Sequence, residues 1–370
     1  MKGKNIRNIK FDPILVISLL LLCILGCVFI YSASNYIAKK DYNDSFFFLK
    51  KQLLGYFLGW IAFFIASVFD YKKIKKYSLI AFIISLVLLA LVLTPLGKES
   101  YGAKRWISVG GFTIQPSEIT KLCFVIFVSA YFSNDMARAT TFKGILPVLV
   151  AGGISCLLII AEPNMSVTVC IGALMVALLF ISGIKIKHLL VIAIPVLFAI
   201  PLLIILEPYR LKRLMAFLDP WSSPKGEGYQ LIQSLYALGS GGLFGVGLFN
   251  SRQKMRFLPF AESDFILSVI GEETGFFGII LLFILCGIIV WRTVKIAKNS
   301  RDFFGYLLSM GFSCVFIIQI AVNALVVTGS IPPTGLPFPL VSSGNTQIIT
   351  FLTSFGIVNS VAIKNRENQI

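Results

Sequence analysis

The most constraining feature of this sequence is a series of apolar runs, each about as long as a helix that crosses a bilayer. The apolar core of a bilayer requires roughly 20 such residues per helix. Because no water reaches that core, each spanning segment must bond its own backbone, as a helix does. The composition agrees, since 57% of the residues are hydrophobic and the mean hydropathy is +0.87. We predict an all-α polytopic membrane protein that forms a single domain over residues 1–370.

The apolar runs predict ten transmembrane helices, with proline or glycine at several of their ends. The predicted helices cover residues 13–33, 49–69, 77–96, 114–132, 145–161, 167–183, 188–206, 264–290, 303–328 and 346–363. The basic residues before the first run resemble a signal peptide. This run is longer than the apolar part of a usual signal, so we expect an uncleaved first helix.

The distribution of Lys and Arg predicts the orientation of the bundle. With the N-terminus in the cytoplasm, the inside segments carry 18 of these residues. The outside segments carry 7 once the segment 207–262 is set aside, because long loops report topology poorly. An even number of helices then places both termini in the cytoplasm, and 207–262 becomes a long extracellular loop between helices 7 and 8.

The predicted outer loop 207–262 departs from this charge bias because it is rich in cations. Its basic residues are Arg210, Lys212, Arg213, Lys225, Arg252, Lys254 and Arg256. A merely solvated loop would explain them, whereas a cationic surface beside the membrane suits an anionic partner. Nucleic acid is absent outside a cell membrane, so lipid phosphates or acidic glycans are the anions that this face would meet.

The cysteines and the histidine give no sign of a metal site or of a nucleophile. The seven cysteines all lie within apolar runs, and the single histidine, His188, lies in a basic turn. The odd count and the apolar surroundings favour reduced cysteines that pack as small apolar side chains. Without a His/Cys cluster, the sequence favours neither a resident zinc ion nor a Cys–His nucleophile.

A Gln-Pro-Ser-Glu segment places ionisable groups at the start of the fourth predicted helix. Pro116 suits the first helical turn, where the helix dipole also favours the Glu118 carboxylate. Lys121 follows three residues later on the same side, one turn deeper into an apolar helix. Capping and one ion pair explain Glu118 but not the depth of Lys121, so both residues are functional candidates.

Asp264 stands where the basic loop enters the eighth predicted helix. Three roles are open: Ser263 or Asp264 caps the helix, Asp264 is a counter-ion to the loop, or Asp264 faces a cleft as a general base. Glu272 and Glu273 follow about two turns, roughly 12 Å, along the same helix. They point to opposite sides, so we expect one of them to face the bundle interior.

Two further segments combine glycine, proline and polar residues. The segment 329–339 is too rich in proline and glycine for a helix, and such backbone near a membrane is tolerated where it lines a cavity. Ser342, Ser343 and Asn345 follow it and offer donors for phosphate or sugar. The glycine-rich stretch 240–247 lacks the lysine of a phosphate-binding loop and indicates little by itself.

Four segments, taken in order, carry a resemblance to a known family. They read GAKRWI…QPSEITK, WSSPKGEGYQLIQSLYALGSGGLFGVGL, LPFAESDFILSVIGEETG and TGLPFPLVSSG. Together with ten helices over almost the whole chain, they resemble the SEDS family, the shape, elongation, division and sporulation proteins. The SRQK segment after the glycine-rich stretch resembles the FtsW/SpoVE branch more than the RodA branch.

The resemblance implies a peptidoglycan glycosyltransferase of the bacterial cytoplasmic membrane. It would polymerise lipid II, an undecaprenyl-pyrophosphate-linked disaccharide-pentapeptide, at the outer face and would work with a class B penicillin-binding protein. The family's essential aspartate matches Asp264. The QPSE glutamate and the lysine after it match Glu118 and Lys121.

On this interpretation Asp264 accepts the proton of the acceptor hydroxyl in an inverting transfer. Lys121, Arg105 and cations of the outer loop then hold the departing pyrophosphate, directly or through a divalent cation such as Mg or Mn. Glu118 orients Lys121 or assists proton transfer. The predicted substrate contacts are Lys104, Arg105, Arg210, Arg213, Gln230, Lys254, Ser342, Ser343 and Asn345.

Three segments depart from the family pattern. LPFAESDF replaces the usual LPEAHTDF, Glu162-Pro163-Asn164 begins the segment that usually reads QPDLGT, and residues 342–347 replace SYGGSS. The retained Asp264 supports activity, whereas these changes bear on the contacts to substrate.

Two other classes of function compete with the enzyme. A lipid II flippase would need a polar path across to the cytoplasmic side, whereas the polar groups are predicted to crowd at the outer face. A non-catalytic scaffold for a penicillin-binding protein would tolerate the departures described above.

Overall fold

The computed structural model describes residues 11–100, 103–110, 112–191, 194 and 208–367 as a helical bundle with one small sheet. The helices are α1 (Pro13–Tyr42), α2 (Phe47–Val68), α3 (Tyr71–Val92), α4 (Pro116–Asn134), α5 (Phe142–Ala161), α6 (Met165–Ile181), α7 (Pro208–Leu218), α8 (Tyr229–Gly241), α9 (Ile266–Lys298), α10 (Phe303–Val327) and α11 (Asn345–Glu367). The strands are β1 (Gly97–Ser100), β2 (Ala103–Val109) and β3 (Phe112–Ile114).

Long apolar helices make this a multi-pass membrane protein. Within the described residues, seven helices are long and apolar enough to cross a bilayer, namely α1, α2, α3, α5, α9, α10 and α11. The helix α6 is apolar but shorter, and α4 carries the buried Glu118 and Lys121. Nine of the ten predicted helices therefore correspond to observed ones, and the seventh, 188–206, lies largely outside the described residues.

Helix starts differ from the prediction where a capping residue lies outside the apolar run. The third helix begins at Tyr71 rather than at residue 77, because the Asp70 side chain accepts a hydrogen bond from Lys72 N. Its basic first turn is helical although it isn't apolar. The end of the first helix also differs from the prediction, since it lies nine residues later, at Tyr42.

The prediction of an all-α fold is wrong at residues 97–114. These residues form an antiparallel three-stranded sheet in the order β1-β2-β3, in which Gly97 pairs with Ile107 and Ile107 with Ile114. Gly110, with φ of +55°, occupies the turn between β2 and β3, and the β-branched residues around it suit strands. The sheet leads directly into α4 and carries Lys104 and Arg105 on β2.

The predicted loop 207–262 is partly helical within its described residues, 208–262. This segment contains α7 and α8, and α7 is amphipathic, with Leu211, Met215 and Leu218 exposed on its apolar side. Such a helix suits the boundary between a bilayer and water. Short amphipathic helices do not appear as apolar runs, which is why the sequence did not reveal them.

The helix α9 is broken at Gly275, where φ is +67° and ψ is −167°. The glycine-rich stretch 241–247 lies in this break and satisfies the backbone groups that the break leaves without a helical partner. Val246 N donates to Glu272 O at 2.9 Å, and Phe276 N donates to Gly242 O at 2.9 Å. The glycines allow the two backbones to approach, because a Cβ on Gly275 would lie 2.5 Å from the Leu243 carbonyl oxygen.

A buried ionic cluster joins the first helix to α9 and α11 at the face opposite this break. The Asp12 carboxylate caps α1 and accepts hydrogen bonds from Arg292 Nε at 2.7 Å and Arg366 Nη2 at 3.1 Å. Its backbone N–H donates to Asn359 at 2.9 Å. Burial raises the pKa of Asp12, but the hydrogen bonds and charge of Arg292 outweigh that effect and hold the pKa below its usual value.

The break in α9 predicts an unusual response to a glycine substitution. We expect Gly275→Ala to destabilise the protein by about 1–3 kcal/mol, because alanine is strained at this backbone conformation and meets the Leu243 carbonyl. Thermal denaturation in detergent measures the effect. The matched control is Gly287→Ala in the same helix, where a Cβ meets open space and alanine should be neutral or slightly stabilising. Equal melting temperatures for the two variants would contradict the assigned role of the break.

Candidate active site

Asp264 lies in a loop at the entrance to α9 and does not cap that helix. The N-cap position belongs to Phe265, and no side chain there bonds the helix. Asn323 of α10 fixes the loop, since its Nδ2 donates to Asp264 O at 2.8 Å and to Leu336 O at 2.7 Å. Of the three roles predicted for Asp264, the capping role is therefore wrong, and its carboxylate is available for chemistry.

The proline-rich segment 331–339 is irregular, as predicted, and it passes directly over the Asp264 carboxylate. Gly335 has a φ of +79°, and a Cβ there would lie 3.2 Å from Asp264 Oδ2. Glycine is the residue that permits both this conformation and this approach. The backbone of the segment thus forms one wall of the site.

Two arginines and a second carboxylate surround Asp264. Arg105 from β2 and Arg213 from α7 both lower its pKa through their charge, which places both guanidinium groups near it. Arg213 Nη1 donates to Pro333 O at 3.3 Å, and Arg105 donates to Pro163 O. Burial and the neighbouring Glu262 act in the opposite direction and raise the pKa of Asp264 to about 6. A carboxylate with that pKa suits a general base at neutral pH.

Ser342 and Ser343, which were predicted to contact substrate, join the two loops of the site. Ser342 Oγ donates to Ser263 O at 2.6 Å and accepts from Phe338 N at 2.8 Å. Ser343 N donates to Glu262 O at 2.9 Å. Ser342 is fully buried, so its hydroxyl holds the Asp264 loop in position rather than facing a cleft.

The predicted ion pair of Glu118 and Lys121 is confirmed. Lys121 Nζ lies 2.8 Å from Glu118 Oε1, and both side chains are at most 3% exposed. The pair borders a cavity of about 10 Å³ whose other walls come from α4, α10 and α11, including Phe312 and Thr350. No residue of the Asp264 loop belongs to the described lining of that cavity, so this pair forms a separate buried centre.

Lys254 is not placed as predicted. It was expected among the loop cations that face the pyrophosphate, but its side chain is 3% exposed and its Nζ lies 2.9 Å from Glu273 Oε1. Ser32 of α1 completes this centre, since Lys254 Nζ lies 3.0 Å from Ser32 Oγ. A buried carboxylate requires such a partner, which explains why the lysine turns inward.

The expectation that one of Glu272 and Glu273 faces the bundle interior is met by Glu273, whose carboxylate accepts a hydrogen bond from Ser32 of α1. Both are buried, because the segment after the glycine-rich stretch folds over α9. The Glu272 carboxylate accepts hydrogen bonds from Arg252 N at 2.9 Å and from the Ser251 hydroxyl. These two glutamates hold the outer segment on the bundle.

The remaining predicted contacts are spread over several elements of the bundle. Lys104 is half-buried beside Arg105 on β2, and Gln230 is half-buried in the first turn of α8. Asn345 begins α11 and lies against Gly55 of α2. The side chain of Arg210 lies outside the described residues. Among the described residues, no group of three or more His, Cys, Asp or Glu side chains is arranged to hold a metal ion.

Sequence reasoning missed Glu262, Asn323, Gly335 and Glu162. Glu262 is two residues from Asp264, and its proximity could have indicated a pair of interacting carboxylates. Asn323 and Gly335 are at least 59 residues away along the chain, and only the fold brings them to Asp264. Glu162 is related to the site through Arg105, which lies near both carboxyl groups.

The fold and this site define a multi-pass membrane protein with an acidic centre flanked by arginines. The chain matches the FtsW/RodA/SpoVE family of cell cycle proteins over residues 13–367, and it belongs to this family. The resemblance inferred from the four sequence segments is thereby confirmed.

Relatives match along nearly the whole chain. Stage V sporulation protein E of Bacillus subtilis (strain 168) is 38% identical over 358 residues, which are 96% of this chain and 98% of the relative. The probable peptidoglycan glycosyltransferase FtsW of Trichlorobacter lovleyi is 36% identical over 361 residues, which are 97% of this chain and 95% of the relative.

Solved structures share the fold. A chain in a peptidoglycan synthase complex, described for its structural coordination of polymerization and crosslinking, matches with a TM-score of 0.80 and 27% identity, over 96% of this chain and 98% of that one. The rod shape determining protein RodA of Thermus thermophilus matches with a TM-score of 0.70 and 25% identity, over 96% of this chain and 97% of that one.

The pairing of Lys254 predicts a structural rather than a catalytic phenotype. We expect Lys254→Met to destabilise the protein by about 3–5 kcal/mol, because it leaves Glu273 buried without its cation. The double variant Lys254→Met/Glu273→Gln should recover most of the lost melting temperature, since it removes the stranded charge. Thermal denaturation of the purified variants measures both effects. An unchanged melting temperature in the single variant would contradict this structural role and would favour Lys254 as a contact to substrate.

Proposed function

We propose that this protein is a peptidoglycan glycosyltransferase that polymerises lipid II at the outer face of the bacterial cytoplasmic membrane. The observation that carries the proposal is Asp264, a partly buried carboxylate between two arginines at one end of the bundle. The name of the FtsW relative supports the reaction, and the match to a peptidoglycan synthase complex supports its setting.

The reaction follows from these charges. The 4-hydroxyl oxygen of the acceptor sugar attacks the anomeric carbon of the donor, and Asp264 accepts the hydroxyl proton as the new bond forms. The bond between the anomeric carbon and the pyrophosphate oxygen breaks, and its electrons leave with undecaprenyl pyrophosphate. Arg105 and Arg213 stabilise this charge. Attack from the opposite side inverts the anomeric centre.

The membrane arrangement is part of the proposal. We retain ten spanning helices, with both termini in the cytoplasm and the Asp264 end of the bundle outside, on the strength of the lysine and arginine bias. Asp12 and Asp264 lie near opposite ends of α9, which at 33 residues is long enough to separate the two faces. A class B penicillin-binding protein is the proposed partner, and it would crosslink the polymer.

The buried pair of Glu118 and Lys121 takes a supporting role in this proposal. Both residues lie on α4, the helix that follows the sheet bearing Arg105, and the cavity beside them is enclosed by α4, α10 and α11. We therefore treat both residues as positioning residues. We also propose that a divalent cation helps to neutralise the departing pyrophosphate, and chelation of the reconstituted enzyme tests this.

The central test removes the proposed base. We expect Asp264→Asn to lower polymerisation of purified lipid II by a factor of about 10²–10⁴, the usual contribution of a general base. The protein is assayed in detergent together with its partner, because detergent abolishes transport but not polymerisation. The matched control is Asp219→Asn, an exposed aspartate of the outer segment, which should retain activity. Undiminished polymerisation by Asp264→Asn would exclude Asp264 as the base.

The pKa of Asp264 predicts the acid limb of the pH profile. A base with a pKa of about 6 is ionised above that pH, so the rate should fall roughly tenfold per pH unit below it. Glu262 raises the pKa of Asp264, so Glu262→Gln should move the acid limb to lower pH. Initial rates of lipid II polymerisation between pH 4.5 and about pH 8 measure this shift. An acid limb that stays in place would show that Asp264 does not control it.

A further inference from the structure

A cavity of about 290 Å³ lies between the sheet and the end of α5. Lys104 and Ala103 of β2 line one side, and Ala161 and Glu162 line the other. Glu99 also borders the cavity and is exposed, as is Ala161, so the cavity communicates with the surface. Its volume is near the lower end of small-molecule pockets, which span about 300–1,000 Å³.

Glu162 stands out in this cavity because it has no evident structural task. It is fully buried, yet neither carboxyl oxygen has a hydrogen-bond partner among the described residues. Buried polar groups are nearly always bonded, because an unpaired one destabilises the fold. Burial raises the pKa of Glu162 to about 8, against a smaller opposite effect of Arg105, so the carboxyl is largely protonated at neutral pH. In that form it both donates and accepts a hydrogen bond.

Arg105 connects this cavity to the site at Asp264. Its guanidinium donates to the carbonyl of Pro163, the residue after Glu162, and its charge lowers the pKa of both Glu162 and Asp264. Its neighbours Ala103 and Lys104 line the cavity. Arg105 therefore lies close both to the cavity and to the Asp264 carboxylate.

The charges around the cavity select its ligand. Lys104 and Glu99 bring opposite charges to the lining, and Glu162 is largely protonated, so the cavity favours neither a cation nor an anion. A neutral group with several hydrogen-bond donors is the chemistry that remains.

We propose that the cavity between the sheet and α5 is a subsite for the hydroxyl or amide N–H groups of an amino sugar, with Glu162 as its buried hydrogen-bonding partner. The proposal rests on the proposed function, because it places a sugar of the lipid-linked substrate next to Asp264. It adds a binding position for that sugar that is separate from the groups that act on the breaking bond.

Direct binding of lipid II tests the subsite without turnover. The parent for this experiment is Asp264→Asn, in which fluorescent lipid II is titrated into purified protein in detergent. Glu162→Leu, added to the parent, should weaken binding about tenfold, because it removes one or two hydrogen bonds to the sugar. Glu162→Gln keeps a donor and an acceptor in the same shape and should bind almost as tightly as the parent.

A second variant fills the cavity and leaves every polar group in place. We expect Ala161→Phe to weaken lipid II binding by a similar factor without lowering the melting temperature, since Ala161 is exposed. The matched control is Ala137→Phe, the same substitution at an exposed alanine remote from the cavity, which should bind like the parent.

Thermal stability separates a ligand-binding role of Glu162 from a structural one. We expect Glu162→Leu to raise the melting temperature, because an unpaired buried carboxyl is replaced by an apolar side chain. A lower melting temperature would show that Glu162 supports the fold and would overturn the proposal. Unchanged lipid II binding in both Glu162→Leu and Ala161→Phe would do the same.

The two proposals fail in different ways. If the wild-type protein and its partner form no glycan from lipid II, the proposed glycosyltransferase function fails. If they form glycan while the cavity variants bind lipid II normally, the function stands and the subsite is rejected.

Discussion

A backbone group inside a bilayer has no water to bond, and the rest of this structure depends on how that requirement is met. Regular helices satisfy it alone, and where the chain leaves helical geometry another segment supplies the bonds. The stretch 241–247 does so for the break at Gly275, and Asn323 does so for the loop of Asp264. The site occurs where two irregular segments, 258–265 and 331–344, hydrogen-bond to each other.

Buried charges separate structural from functional residues in this molecule. Three buried centres are neutralised by direct contacts: Lys121 with Glu118, Lys254 with Glu273, and Arg292 with Asp12. The pairs at Glu273 and Asp12 join different elements, whereas Glu118 and Lys121 lie on one helix, and each carboxylate has its cation within hydrogen-bonding distance. Asp264 and Glu162 differ from these pairs because each has a raised pKa. The cation near both of them is Arg105, which also donates a hydrogen bond to the Pro163 carbonyl. We assign the proposed chemistry to these two carboxyl groups, which the fold leaves incompletely compensated.

The sequence predicted the apolar helices well because hydropathy reports residues that face lipid. It did not predict the sheet or α7 and α8, since short elements at the membrane boundary are neither apolar runs nor regular repeats. Asp264 could be found because it stands where a basic segment meets a helix. Gly335, which borders it, could not, because its closeness depends on how two distant loops pack. The misassignment of Lys254 has the same origin: its partner Glu273 lies 19 residues further on, in a different element.

The cluster at Asp12 has a consequence for the order in which the bundle can form. Asp12 begins the first helix, yet two of its partners, Asn359 and Arg366, belong to the last helix, 347 and 354 residues later. The helix α11 also packs along α2, where Gly59 lies against Leu352. During synthesis α1 and α2 are therefore made before α11, the helix that they contact in the finished bundle. Closure of the bundle is a late event, and it couples completion of the chain to the burial of Asp12, its earliest acidic residue.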